Sequence, residues 1–266
     1  MPHGESWFSL LPFHENAMAL AHYFSKPVTE DGLSWIAHEP IALQHVYGAI
    51  FIIILLLVVG LITSASVRES TKRKELLPEA KLTIRNFVEI VVGATFKMMA
   101  DIMGEKAARY FLPLIGTCAF FILFSNAIGL VPGFLPPTGK LNTTFACGTI
   151  IFLSTHIYGV KEQGFFGYFK HFFGPIISLP ALPLMLVFFV IEIISHVARP
   201  CSLGIRLMAN MTADHMVVAA FLGLVPFLVP VPMMLLGCVV VVVQTLVFCL
   251  LSTIYISEAI KHAEHH

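Results

Sequence analysis

Charge is what this sequence has least of. Only 12% of its 266 residues are charged and 57% are hydrophobic, against roughly a quarter charged in a soluble domain. That scarcity excludes a soluble fold. Net charge is missing as well: Lys+Arg 16 and Asp+Glu 16 cancel, so nucleic acid is excluded as a partner. The five cysteines contain no C-x-x-C pair and all fall in apolar runs, which argues for small packing residues and against a disulfide framework. No H-E-x-x-H, no G-x-S-x-G and no Gly-rich phosphate loop with its lysine occurs, so the chain is not expected to hydrolyse a nucleotide by itself. The His-rich tail "KHAEHH" lacks ligand spacing, and neither a metal nor a cofactor is expected. The N-terminus has no basic region followed at once by an apolar one, so no cleaved signal peptide is expected.

What is present is a series of long apolar runs. Val46–Val67, Tyr110–Gly139 and Leu141–Val160 are free of charge, and a span of about 20 apolar residues crosses a bilayer core. Two longer segments follow, at about 182–224 and 233–256, separated by the proline-rich "VPFLVPVP". The expected fold is an all-α integral membrane protein with five membrane-embedded helices and one amphipathic surface helix. The first four parts of the chain are an N-terminal segment (1–45), a first transmembrane helix (46–67), a loop with the amphipathic helix (68–109) and a helical hairpin (110–160). A second loop (161–179) and a final hairpin with its tail (180–266) complete it.

Charge placement orients these parts. Lys and Arg crowd between Arg68 and Arg109, whereas Lys26 is the only one in residues 1–45. The positive-inside rule then puts the 68–109 loop in the cytoplasm, the N-terminus outside and, after five spans, the C-terminus in the cytoplasm. Lys161 and Lys170 place the second loop inside again. Within the first loop, Ile84, Phe87, Val88, Val91 and Val92 follow a helical apolar stripe, and Lys81, Arg85 and Glu89 a polar one. Such a helix suits the cytoplasmic membrane surface; a soluble helix packed on a partner is the alternative. In the hairpin, helices at about 110–131 and 142–158 flank "GLVPGFLPPTGK", whose Pro and Gly mark the turn.

The informative residues are the polar ones inside the last hairpin. Between Phe173 and Ser257 the only charges are Glu192, Arg199, Arg206 and Asp214. Glu192, Arg199 and Arg206 recur every seventh position, Asn210 lies one turn beyond Arg206, and Ser195 and His196 fill the same broad face. A central Arg or Asp costs about 2.5–3.5 kcal/mol on insertion scales, so such groups face a bundle interior or a wet cavity. An Arg199–Glu192 salt bridge would be a purely structural use of that pair. No such use is open to Arg206: Asp214 is eight residues on, about 12 Å along the axis, and its partner must lie elsewhere. Gln244, alone among Val, Leu and Phe in the last helix, is either an interhelical hydrogen-bonding group or part of the same path. With a turn between Pro226 and Pro232, Gln244 falls at the depth of His215.

At "RPCSLGIRLMANMTADH" (Arg199–His215) and "QTLVFCLLSTIYISEA" (Gln244–Ala259), with "FSNAIGLVPGF" (Phe124–Phe134), Leu141–Asn142 and "EIISHVARPCSLGIRL" (Glu192–Leu207), the chain resembles the ion-channel subunit a of rotary F-type ATP synthases. The resemblance covers nearly the whole chain. It implies a stator subunit whose last two helices lie long and tilted against a ring of c subunits, each with one membrane-embedded carboxylate. It also implies partnership with b-type peripheral stalk subunits and the rest of the synthase. The setting would be an energy-transducing bilayer, the bacterial inner (plasma) membrane. By match to the motif, Arg206 would be the essential charge facing the ring carboxylate and separating two aqueous half-channels. Asn210, His215 and Gln244 would belong to the inlet half-channel and the arginine's surroundings, and Glu192 with Ser195 to the cytoplasmic side. Two positions depart from the family pattern. Asp214 stands where Gly is common, and Gly237 where a titratable residue commonly faces the position of His215. Asp214 is therefore the candidate for the missing carboxylate.

Two other classes compete. A self-contained secondary transporter could use Arg206 as a substrate-carboxylate clamp, but no internal repeat accompanies it. An intramembrane enzyme would need a nucleophile–base or metal-ligand set at usable spacing, and none is found.

Overall fold

The structure, a computed structural model, describes residues 44–73, 83–131, 134–164, 182–224 and 230–264. These form six α-helices: α1 (Gln44–Arg73), α2 (Ile84–Met103), α3 (Glu105–Ile128), α4 (Leu141–Gln163), α5 (Leu182–Leu224) and α6 (Pro230–Glu264). A single 3₁₀ turn, Pro137–Gly139, precedes α4, and no strand occurs among the described residues. All helices but α2 contain a stretch long and apolar enough to cross a membrane. The chain is an all-helical, multi-pass membrane protein. Expectations for residues 1–43 and for the loop at 165–179 fall outside the described residues.

Helix ends follow local chemistry. The first helix runs to Arg73 rather than stopping near 67, because no Gly or Pro interrupts the stretch from Leu61 to Arg73. α3 begins at Glu105, whose carboxylate suits the positive N-terminal end, and ends where Gly129 follows. α4 extends to Gln163 and stops at Gly164, which has φ 73°. Thr83 caps α2, its Oγ1 accepting from the Asn86 N–H at 3.4 Å. The polar stripe of α2 closes an Arg85–Glu89 ion pair at 2.8 Å. Its apolar face packs within the chain: Phe87 meets Phe124 of α3 edge-on, and Met99 is fully buried against α3 and α6.

Two clusters make the core. One joins Met99 of α2, Phe111 and Ile115 of α3, and Ile256 of α6. The other joins Ile122 of α3, Ile151 of α4, Leu203 and Leu207 of α5, and Phe248 of α6. Cys118, Cys147 and Cys249 are buried among them as packing residues, and all five cysteines are free. α1 is peripheral: Ile52 is buried, but Leu57 is 62% and Leu61 70% exposed. In lipid those side chains meet tails as apolar as themselves.

The approach of α4 to α5 positions everything below. A Cβ on Gly148 would stand 2.8 Å from the Pro200 carbonyl oxygen, and one on Gly204 would stand 3.2–3.3 Å from the Phe145 backbone. Small residues at both places let the two backbones touch. Pro200 lies inside α5 and has no N–H, so the His196 carbonyl loses its helical donor. At the other end of the hairpin, buried Thr138 donates to buried Asn126 Oδ1 at 2.6 Å and ties the 3₁₀ turn to α3.

Candidate functional site

All the sequence-predicted site residues except Gln244 lie on α5, and the structure sorts them into three levels. At the middle, Leu203, Leu207 and Met211 form the buried stripe of the helix, and Arg206 lies off it, exposed. Among the described residues no ion pair involves Arg206. Ile205 beside it on α5 is about half exposed, as are Val242, Val243 and Leu246, which flank Gln244 on α6. One turn on, Asn210 Nδ2 donates to Gln244 Oε1 of α6 at 2.6 Å, and the Gln244 side chain is buried. A guanidinium cannot lose its proton, so this level presents a permanent positive charge on an apolar face.

At one end stand Asp214 and His215, both half-buried. His215 faces the turn after α3, where a Cβ on Gly129 would come within 2.8 Å of its Nε2. Asp214 faces α6, its Oδ2 lying 3.9 Å from the place a Gly237 Cβ would take. That oxygen is buried and accepts no hydrogen bond from the described residues. A buried, unpaired carboxylate oxygen is expensive, so packing does not explain Asp214. The carboxylate reaches the space beside Gly237 from the opposite helix. Thr212 closes the turn over this end, donating to the Gly139 carbonyl at 3.4 Å.

At the other end, Glu192 Oε1 lies 3.3 Å from His196 Nε2. Ser195 sits half-buried between them on the same helix. Arg199 reaches across to Glu258 of α6 at 3.0 Å and lies over the Tyr255 ring at 5.4 Å. His156 of α4 sets its ring 5.1 Å from that of His196. Along the axis of α5, Glu192 is about 21 Å from Arg206, and Arg206 about 12 Å from Asp214.

One alternative falls and one expectation changes. Arg199 pairs with Glu258, not with Glu192, because α6 carries its acidic residue to the same end while Glu192 turns to His196 one turn along. Gln244 meets Asn210 rather than standing at the depth of His215. α5 ends at Leu224 and α6 starts at Pro230, so the connection is centred earlier than the proline run 226–232 suggested. The facing register moves by about one helical turn. His156 and Glu258 were missed. The signal for His156 was a lone ionisable residue inside an otherwise charge-free span.

The arrangement separates two polar clusters by a fixed cation that faces outward. Comparison with known proteins gives it a context. The model of the family described as ATP synthase A chain matches residues 49–257. The chain is 49% identical over 212 residues to ATP synthase subunit a of Geobacter sulfurreducens, covering 80% of this chain and 85% of that one. It is 44% identical over 237 residues to the subunit a of Sorangium cellulosum, covering 88% and 90%. A subunit a of Pelobacter propionicus is 49% identical over 180 residues, 68% of this chain and 76% of that one.

Proposed function

Because the chain belongs to the ATP synthase A chain family, we propose that it is the proton-conducting stator of the synthase membrane sector, with Arg206 separating two half-channels. The observation that carries this reading is the isolation of Arg206. It is exposed on an apolar face without an ion-pair partner among the described residues, and polar clusters lie on both sides of it along one helix. In a bilayer that cation needs a carboxylate, and the c-ring supplies one that arrives and leaves as the ring turns. Asp214, His215, Asn210 and Gln244 line the extracytoplasmic inlet, and Glu192 with Ser195 the cytoplasmic outlet. The cation attracts the ionised ring carboxylate, relays no proton itself, and blocks a direct short circuit between the clusters. The chain performs no covalent chemistry. The b-type stalk holds it against the ring in the bacterial inner membrane, N-terminus out and C-terminus in.

The test is reconstitution of the whole complex, with ATP-driven pumping and passive proton flux assayed separately. Lysine keeps charge and stem but not the planar, multi-donor geometry, and it can deprotonate when buried. Arg206→Lys is expected to assemble and lose coupled pumping and synthesis. Arg206→Ala is expected to lose coupling and leak protons passively. Near-normal coupled synthesis in either assembled variant would sink the mechanism.

A further inference from the structure

The cluster at the Glu192 end of α5 holds more than the motif residues. His156 on α4 and His196 on α5 both lie inside membrane-spanning stretches, where an ionisable side chain is retained for use rather than for packing. Their ring centroids are 5.1 Å apart, and His196 Nε2 lies 3.3 Å from Glu192 Oε1. His156 Nδ1 lies 2.8 Å from the Phe152 carbonyl oxygen. A carbonyl can only accept, so Nδ1 carries the proton and Nε2 is the basic nitrogen. A small cavity of about 10 Å³ opens between His156, His196, Arg199, Pro200 and Tyr255, room for about one water molecule.

The charges around the pair are arranged to leave Glu192 available. Arg199, the nearest fixed cation on α5, is held by Glu258 at 3.0 Å and over Tyr255. On α4, Tyr158 and Lys161 follow His156 by two and five residues, and Tyr158 shares a 2.7 Å hydroxyl contact with Tyr110 of α3. Two imidazoles, of the side-chain type that exchanges protons near neutral pH, thus stand side by side, with the Glu192 carboxylate next to His196.

We propose that His196, backed by His156, is a proton-exchanging residue of the cytoplasmic half-path, passing protons between that path and Glu192. The inference rests on the function proposed above. In the cytoplasmic release step of synthesis, neutral His196 takes up one proton arriving through the path and becomes an imidazolium. It gives one proton from Nε2 to the Glu192 carboxylate, which releases it to cytoplasmic water. One proton enters and one leaves, so both residues return to their starting charge, and His196 recovers its starting tautomer by proton exchange or a ring turn before the next cycle. His156 holds the alternative proton position across the cavity.

The experiment uses the whole complex in liposomes, with the pH of the cytoplasmic side and of the lumen set independently. His196→Gln keeps a hydrogen-bonding group beside Glu192 but cannot titrate. ATP-driven pumping is read as the ratio of variant to wild type, so the pH dependence of hydrolysis cancels. The expected ratio is several-fold below one, changes with cytoplasmic-side pH between about 6 and 8, and is indifferent to luminal pH. A ratio of one overturns the proposal. So does a lowered ratio that is constant with pH, since that is what lost packing would give. If His196→Gln does not assemble, His156→Gln is judged by the same pH criterion. Arg206→Ala, run in parallel, tests the underlying reading. If it abolishes pumping while His196→Gln leaves the ratio flat, the function stands and the relay falls.

Discussion

At Asp214 a carboxylate oxygen is buried without a hydrogen-bond partner among the described residues, and the residue across from it is a glycine. Asparagine matches the shape but cannot take up a proton. Asp214→Asn is therefore expected to assemble, to lower proton flux through the complex and to alter its dependence on extracytoplasmic pH. His215 stands beside it in the chain, a second side chain able to take up and give up protons. Flux and pH profile identical to wild type would make Asp214 a bystander. At this scale the sequence was informative about residue types and less so about pairings. Arg206, Asn210 and Gln244 were legible because polar groups in an apolar run are costly and therefore conspicuous. The Asn210–Gln244 bond was not, because it depends on where the chain turns between α5 and α6. Arg199 found Glu258 for the same reason: an ion pair between helices is invisible to spacing within one.

At the scale of elements, the α4–α5 crossing is where a single methyl group has the largest effect. Gly148→Ala would drive a Cβ against the Pro200 carbonyl, a backbone atom that cannot rotate away. Overpacking of this kind costs about 1–3 kcal/mol, and the expected outcome is a lower thermal stability of the purified complex, with Gly60→Ala, which meets nothing within 4 Å, as the comparison. Equal midpoints for the two would show that the helices are free to separate. The Thr138–Asn126 bond belongs to the same scale. Thr138→Val leaves a buried amide oxygen without its donor, a loss of about 1–3 kcal/mol. It is expected to loosen the turn that covers His215, seen as faster proteolysis between α3 and α4. Helix existence was legible throughout, since long charge-free runs leave few alternatives. Helix ends were less so, because α1 continues through a charged stretch that contains nothing to break a helix. The touching of α4 and α5 was not legible at all. A glycine in a span reads the same whether or not another backbone lies against it.

For the whole molecule, the number of membrane-crossing helices follows from composition, while their orientation follows from Lys and Arg placement. That asymmetry is the ground for expecting the C-terminal end of α1 on the cytoplasmic side. Cysteine introduced at Ser70, in a background lacking the native cysteines, is expected to react with an impermeant reagent only from the cytoplasmic face. Labelling from outside in intact cells would overturn the topology. The same arrangement makes the molecule polar in a second sense. The Asp214–His215 end lies under the α3–α4 turn, and the Glu192–His196 end lies toward the C-terminal ends of α4 and α6.

The length of α5 has a further consequence. Its membrane-spanning stretch, Leu186–Val218, has 33 residues and is therefore about 50 Å long, while the hydrocarbon layer is about 30 Å thick. Embedded along its whole stretch, the helix lies roughly 50° from the bilayer normal. The two polar ends, about 33 Å apart along the axis, are then displaced sideways by roughly 25 Å as well as in depth. Against a circular partner that displacement is an arc. Under the function proposed above, a proton bound at one bearing would have to be carried around to another before it could leave, and a flow across the membrane would become a torque about its normal.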